Sequence, residues 1–304
     1  MDYGLIGAML RKFKTPIRRA GLIGKYRSPD VAESLPLLAA FLHQQGVRTL
    51  IEESTAASIG AAEYDVASYE TIGAEADVAI VLGGDGTLLA AARRLAEFGV
   101  PLVGVNQGRL GFMTDIAREN MLDGIGQLLD GQFSIESRVL LESEVWRDNE
   151  RVLRHLALND VVVNKGDQGR MIELKVEVDG DFLYLLRADG IIVSTPTGST
   201  AYALSANGPI LHPTVAGLGI VPLCPHALSN RPITISDESR VDITFISPSE
   251  GRIHFDGQSR FDGRSGDRVR ITGATMRVTL LHPPGYDYFA MLREKLHWSE
   301  MPEA

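Results

Sequence analysis

Short apolar runs at Ala20-Gly21-Leu22-Ile23, Arg48-Thr49-Leu50-Ile51, Ala76 to Leu82 and Pro101 to Val105 recur between stretches of helical periodicity, near 30 to 45 and from Thr87 to Phe98. Runs this short, apolar throughout and separated by helices, belong in a parallel sheet, because parallel strands need a crossover and the helices cover both faces. Beyond about residue 135 the rhythm changes to alternating strands such as Leu174 to Val178, punctuated by Asp148-Asn149, Asp179-Gly180, Ser249-Glu250-Gly251 and Gly263-Arg264-Ser265-Gly266. These observations predict an α/β N-terminal domain with a parallel sheet over residues 1–134, followed by a β-rich, sandwich-like C-terminal domain over 135–282. The segment 283–304 is expected to rejoin the first domain through a helix, since Phe289, Leu292 and Leu296 share one helical face.

Composition narrows the function classes. The chain has 304 residues, 44% of them hydrophobic, enough for two ordinary cores. A net charge of −9 argues against a partner held by counterion release, so nucleic acid is not expected. The single cysteine, Cys224, excludes an intramolecular disulfide or a thiolate zinc cluster and fits a reducing, cytoplasmic setting. His212, Cys224 and His226 match no zinc spacing. No apolar run approaches the roughly 18 residues of a membrane span, so no membrane partner is expected. At the N-terminus Leu5 to Leu10 precede Arg11-Lys12-Phe13-Lys14, the reverse of a secretory signal, and residues 1–19 read as a surface extension.

Three features carry chemistry. In Val81-Leu82-Gly83-Gly84-Asp85-Gly86-Thr87-Leu88 an apolar strand runs through three glycines into a helix, which exposes backbone N–H groups beside a positive dipole end and suits phosphate. Asp85 is equally readable as a catalyst or as a helix cap at this point. Neither G-x-G-x-x-G nor G-x-x-x-x-G-K-[ST] occurs, which weakens oxidoreductase and P-loop readings; if Asp85 does chemistry, phosphoryl transfer to a hydroxyl is the candidate. A carboxylate stabilised by N–H groups is a weak base, but a loose transition state asks more for hydroxyl positioning than for basicity. The second feature runs from Asp189 to Ser205, where a strand meets Thr195-Pro196-Thr197-Gly198-Ser199-Thr200-Ala201-Tyr202 and an Ala-rich helical start. Its hydroxyls suit phosphate or ribose, and Tyr202 offers a flat face to a ring, with an elaborate helix N-cap as the alternative. The third is Asn159-Asp160 ahead of Val161-Val162-Val163, an amide and a carboxylate suited to a ribose diol, although Asn-Asp equally favours a turn.

Together, in this order and spacing, these features resemble the NAD kinase family. The resemblance begins near Gly21-Leu22-Ile23-Gly24-Lys25 and includes Asn106-Gln107-Gly108-Arg109-Leu110-Gly111-Phe112, Cys224 to Pro232 and Phe255-Asp256-Gly257-Gln258. The glycine-rich motif alone is shared with diacylglycerol kinases, sphingosine kinases and phosphofructokinases, and the Thr195–Tyr202 motif distinguishes the family. Membership implies phosphorylation of the adenosine-ribose 2′-hydroxyl of NAD by ATP to give NADP, with a divalent cation, magnesium, at a site where the two domains meet. It implies a homodimer or homotetramer as well. By resemblance Asp85 accepts the hydroxyl proton, with Gly83, Gly84, Gly86 and Thr87 around the phosphates. Asn159, Asp160, Asp189, Thr197, Thr200, Ala201, Tyr202, Ala203, Leu204 and Ser205 match positions that hold NAD, and Arg170, Arg187 and Gln258 carry over as further binding residues. Phe112 reads as a core phenylalanine, with adenine stacking as the alternative. Two positions depart from the family pattern: Asp160 stands where many relatives carry glutamate, and Asn207 where glycine is frequent. If the backbone at 207 has positive φ, asparagine is the next most tolerant residue.

Overall fold

The computed structural model describes residues 16–60, 64–108, 111–167, 169–246 and 251–298. The chain divides into two compact units, one from the residues up to Ser137 together with those from Val278 onward, the other Arg138–Arg277. In chain order the elements are β1 (Arg19–Gly24), α1 (Pro29–Gln44), β2 (Arg48–Glu52), α2 (Glu53–Ile59), β3 (Val66–Ala67), α3 (Tyr69–Glu75), β4 (Val78–Leu82), α4 (Asp85–Leu95), β5 (Leu102–Asn106), β6 (Ile116–Ala117) and α5 (Met121–Leu129). There follow β7 (Ser134–Arg147), β8 (Glu150–Ala157), β9 (Asp160–Asn164), β10 (Ile172–Val178), β11 (Asp181–Ala188), β12 (Gly190–Ser194) and α6 (Tyr202–Ser205). The last are β13 (Gly217–Leu223), β14 (Ile233–Ser236), β15 (Arg240–Phe245), β16 (Gly251–Phe255), β17 (Ser259–Gly263), β18 (Arg268–His282) and α7 (Tyr288–Leu296).

The first unit is built on a parallel sheet in the order β5-β4-β1-β2-β3, with β6 and the end of β18 also parallel to β5. Every residue of β4 and β5 is buried, as expected of central parallel strands covered on both faces. Helix α1 starts with Pro29 at its first turn and buries Val31, Leu35, Leu38 and Leu42, an apolar stripe of helical period, in one core with Leu22, Ile51, Ile80 and Val103.

The second unit is an antiparallel sandwich. One sheet runs β11-β10-β15 and on to β18, and the other runs β14-β13-β12-β9-β16-β17. Inward residues of both sheets, among them Leu174, Val176, Ile243, Phe245, Val161, Val163, Ile191 and Ile253, form a single core. Two of the expected turns show why they reverse the chain. Asp148 and Asn149 (φ 52° and 64°) join β7 to β8, and Asp179 and Gly180 (φ 55° and 93°) join β10 to β11. Two consecutive positive φ values match the twist of a tight hairpin, and Asx and Gly tolerate them. Ser249 and Glu250 lie outside the described residues.

Two expectations need correction. The N-terminal extension does not reach residue 19: Ile17 is buried in the first core, and the N–H groups of Arg18 and Arg19 donate to the Asp77 carboxylate at 2.9 Å, so this backbone is tied to the sheet. The Leu5–Lys14 pattern lies outside the described residues. Helix α7 buries Tyr288, Met291 and Leu292, while Phe289 is 58% exposed. Of the expected face Leu292 is buried, whereas Phe289 is replaced on the inner side by Tyr288 and Met291; the Asp287 side chain caps the helix by accepting from Phe289 N and Ala290 N.

Candidate active site

Strand β4 ends at Leu82, and Gly83 N–H still donates to Val105 O at 3.0 Å before the chain turns into α4. Gly84 is the N-cap in extended conformation, and no side chain caps this helix. Asp85, the first helical residue, turns away from its own helix: Oδ2 accepts from Phe112 N at 2.8 Å, and Oδ1 from Met113 N at 3.1 Å and Thr114 Oγ1 at 3.3 Å. Thr114, fully buried, in turn accepts from Asn106 Nδ2 at 2.8 Å. A carboxylate held from three sides keeps lone pairs for an incoming hydroxyl while losing its freedom to rotate. Two glycines permit the arrangement. A Cβ on Gly111 would fall 2.1 Å from Asp85 Oδ1, and one on Gly83 would fall 2.5 Å from Thr87 Oγ1. Phe112 is half-buried rather than a core residue; its N–H, not its ring, is what Asp85 uses. Arg109 and Leu110 lie outside the described residues.

In the second unit, Asn159 and Asp160 sit at the start of β9, the central strand between β12 and β16. They are held by Asp256, whose carboxylate accepts from Leu158 N (3.0 Å), Asn159 N (2.7 Å) and Asp160 N (3.2 Å). Asp256 stands at positive φ (52°) in the tight turn after β16. A cavity of about 420 Å³ opens here. It is lined by Asn159, Asp160, Asp256 and Gly257, by Val162, Ala201 and Tyr202, and by Asn164 and His254. Burial, and then the charge of Asp256, pushes the Asp160 carboxyl up to about 7.

The Thr195–Ser205 segment is organised differently from the expectation of a hydroxyl-lined cradle. Most of its hydroxyls are engaged with the chain: Thr195 Oγ1 donates to Leu158 O at 2.6 Å, Ser199 Oγ to Pro196 O at 2.6 Å and Thr200 Oγ1 to Thr197 O at 3.2 Å. Thr197 Oγ1 accepts from the Arg138 guanidinium at 3.2 Å. The expected helix is the single turn α6, and Ala203 turns into a small apolar cluster with Val162, Ile192 and Val221. Thus Ala201 and Tyr202 reach the cavity, Thr197 and Ala203 are buried beneath it, and Leu204 is half-buried while Ser205 is exposed. Asn207 has φ 59°, the conformation that the absence of glycine there had raised.

The structure does not bring every candidate to this cavity. Asp189 precedes Gly190, which pairs with Asn164, whereas Ser194 pairs with Asp160. Asp189 is therefore at the opposite end of β12, where its carboxylate meets Lys165 Nζ at 2.7 Å. Arg170, Arg187 and Gln258 are exposed and do not line it. Conversely, Asp256, Asn164 and His254 went unselected. Asp256-Gly257 reads as a turn, and only the strand register shows that Asn164 and His254 point to the same side as Asp160. Among the described residues no group of three or more His, Cys, Asp or Glu is placed to hold a metal ion, and Cys224 is an exposed free thiol.

Comparison with known proteins agrees with both halves of this description. Residues 21–133 match the ATP-NAD kinase N-terminal domain and residues 158–282 the ATP-NAD kinase C-terminal domain. The NAD kinase of Aromatoleum aromaticum is 60% identical over 286 residues, covering 94% of this chain and 95% of that protein. The NAD kinase of an Azoarcus species is also 60% identical, covering 94% and 97%. In fold the chain is similar to yeast NADH kinase complexed with NADH (TM-score 0.87, 24% identity, 95% of this chain and 90% of that one). It is similar as well to an NAD kinase from Archaeoglobus fulgidus in complex with ATP (TM-score 0.72, 23% identity, 92% and 98%). The chain belongs to the NAD kinase family, whose members use ATP to phosphorylate NAD to NADP.

Proposed function

We propose that Asp85 orients the 2′-hydroxyl of the adenosine ribose and takes its proton as the oxygen–phosphorus bond forms and the bond to ADP breaks. The observation that carries this role is the direction of the carboxylate: it leaves the helix terminus to the backbone N–H groups and is fixed instead by Phe112, Met113 and Thr114. The uncapped start of α4, with Gly84 and Gly86, is suited to the donor phosphates. The cavity beside Asn159, Asp160 and Tyr202 takes a nucleoside of NAD, the amide and carboxyl meeting a ribose diol. The first unit accordingly serves the nucleotide donor and the second NAD.

We infer that a divalent cation, magnesium, would accompany the nucleotide. Bound there, such an ion would be held by phosphate oxygens of the nucleotide and by water. When bound it neutralises charge on the transferred group. Among the described residues no helix is long and apolar enough to cross a membrane, and with one cysteine in the whole chain we assign a cytoplasmic location. We further assign a homo-oligomeric state, for which the exposed edge of the β11 sheet provides the surface. The direct test of the site assignment is to follow NADP formation from NAD and ATP in Asp85 and Asn159 variants. Wild-type turnover by Asp85→Asn would remove the role given to Asp85, and an unchanged KM for NAD in Asn159→Ala would remove the role given to the cavity.

A further inference from the structure

The outer face of the second unit's six-stranded sheet can be followed residue by residue from its register. Along β9, Asp160, Val162 and Asn164 point outward in turn. On β16 His254 stands opposite Val162 and Arg252 opposite Asn164, and on β17 Arg260 stands opposite His254. Same-face neighbours on a strand are separated by roughly 6.8 Å and adjacent strands by roughly 4.8 Å. His254 is thus one strand over and one step along from Asp160, about where the base of a nucleoside falls when its ribose is at Asn159–Asp160. The wall between them is Val162, apolar and flanked by Ala201 and the half-exposed ring of Tyr202, a surface suited to the flat face of a heterocycle rather than to phosphate.

The charged and titratable groups around His254 include Arg252 on its own strand, paired with Asp167, Asp256 in the turn after it, Arg260 and Asp262 on β17 and Asp160 on β9, with Tyr202 lining the same cavity. Partial burial, then Arg252 and Arg260, push the His254 imidazole below its ordinary value. At neutral pH it is an uncharged aromatic ring, which can lie against adenine or against a cationic nicotinamide without repulsion.

We infer that His254 is a specificity-determining residue of the acceptor site, packing against the planar heterocycle that lies along Val162 when NAD is bound. The inference rests on the proposal that Asn159 and Asp160 hold the adjoining ribose. It is tested by measuring NAD and NADH binding to the full-length enzyme by calorimetry, with KM for NAD and for ATP, in His254→Ala, His254→Phe, His254→Lys and Asn159→Ala. His254→Ala is expected to weaken NAD binding by about five- to tenfold, the loss appearing in KM for NAD and not in KM for ATP, while His254→Phe restores most of it. His254→Lys sets a fixed charge at the same place: a larger loss for NAD than for NADH assigns the ring to nicotinamide, and equal losses assign it to adenine. Unchanged NAD affinity in His254→Ala, with Asn159→Ala impaired, overturns the role of His254 alone. Unchanged affinity in both variants overturns the cavity assignment with it.

Discussion

Asp85 and Asp160 are both carboxylates beside polar backbone, and their surroundings give them opposite tasks. Asp85 is held by two N–H groups and a hydroxyl, so replacing it by asparagine keeps the shape but presents an amide to groups that donate. Asp85→Asn is expected to lower kcat by orders of magnitude while NAD affinity stays nearly intact, as steady-state kinetics with calorimetric NAD binding will show. Asp160 is 4% exposed and close to Asp256, and its carboxyl is raised from 3.8 to about 7. A carboxyl raised in the folded state stabilises the protein fully below its unfolded value near 4, and this contribution is lost as pH climbs through 7. Asp160→Asn, which has no charge to bury, is therefore expected to melt at the same temperature as the parent near pH 4. Its advantage should grow between pH 4 and 7 to at least about 3 °C and then level off, a profile read from thermal unfolding without ligand. Residue identity made Asp85, Asn159 and Asp160 legible as candidates, and Asn207 legible as a positive-φ position. The direction of each side chain was not legible, because it depends on contacts 27 to 98 positions away, from Phe112 to Asp85 and from Leu158 to Asp256.

At the scale of elements, the turn from β12 into α6 depends on an approach that only glycine allows. A Cβ on Gly198 would lie 2.0 Å from Asn159 O and 2.5 Å from Asn159 C, both backbone atoms that also receive or flank the Thr195 N–H bond. Gly198→Ala is expected to displace the Asn159–Asp160 strand start, costing at least about 2 kcal/mol in stability and raising KM for NAD, as denaturant unfolding and kinetics will report. This explains why a segment rich in hydroxyls turned out to be braced inward: so close a packing leaves buried acceptors that the hydroxyls must satisfy. Strands and hairpins were legible because apolar period and Asx-Gly turns are local signals. The inner face of α7 takes Tyr288 and Met291 in place of Phe289, which apolar spacing alone does not distinguish. The end of β18 hid a stronger device. His282, 2% exposed, bonds Asp115 through Nδ1 and Glu136 through Nε2 at 2.8 Å and stacks on Tyr286 at 3.9 Å. Burial lowers its affinity for the proton, but the two carboxylates outweigh burial and raise it above 6.5. The stabilisation is therefore complete below pH 6.5 and is lost as pH rises through the higher folded value. A loss of melting temperature as pH rises above 6.5 that persists in Asp160→Asn and is absent in His282→Gln is the expected signature.

For the whole molecule, the switch from αβ rhythm to alternating strands near residue 135 was readable because each architecture repeats its own period many times. Association surfaces carry no such period, and the one proposed for this chain depends on a defect in a strand. Between β10 and β11 the register shifts, with Val176 opposite Tyr184 and Glu177 opposite Phe182. The extra residue turns Phe182 to the same outer side as Leu185, leaving them 59% and 64% exposed beside the Lys175–Glu177 ion pair. Strand β11 also ends its sheet; its Arg187 carbonyl already accepts from His226 N–H at 2.9 Å, so the edge offered to a further strand is the part that precedes Arg187. A chain of net charge −9 resists indiscriminate association, so an apolar pair on an open edge points to a defined contact with a second copy. Light scattering coupled to gel filtration is expected to give an integral multiple of the chain mass, and Phe182→Asp with Leu185→Asp to reduce it while each subunit keeps its melting transition. A monomeric parent, or an assembly indifferent to both charges, would show that this edge is guarded by its bulge alone.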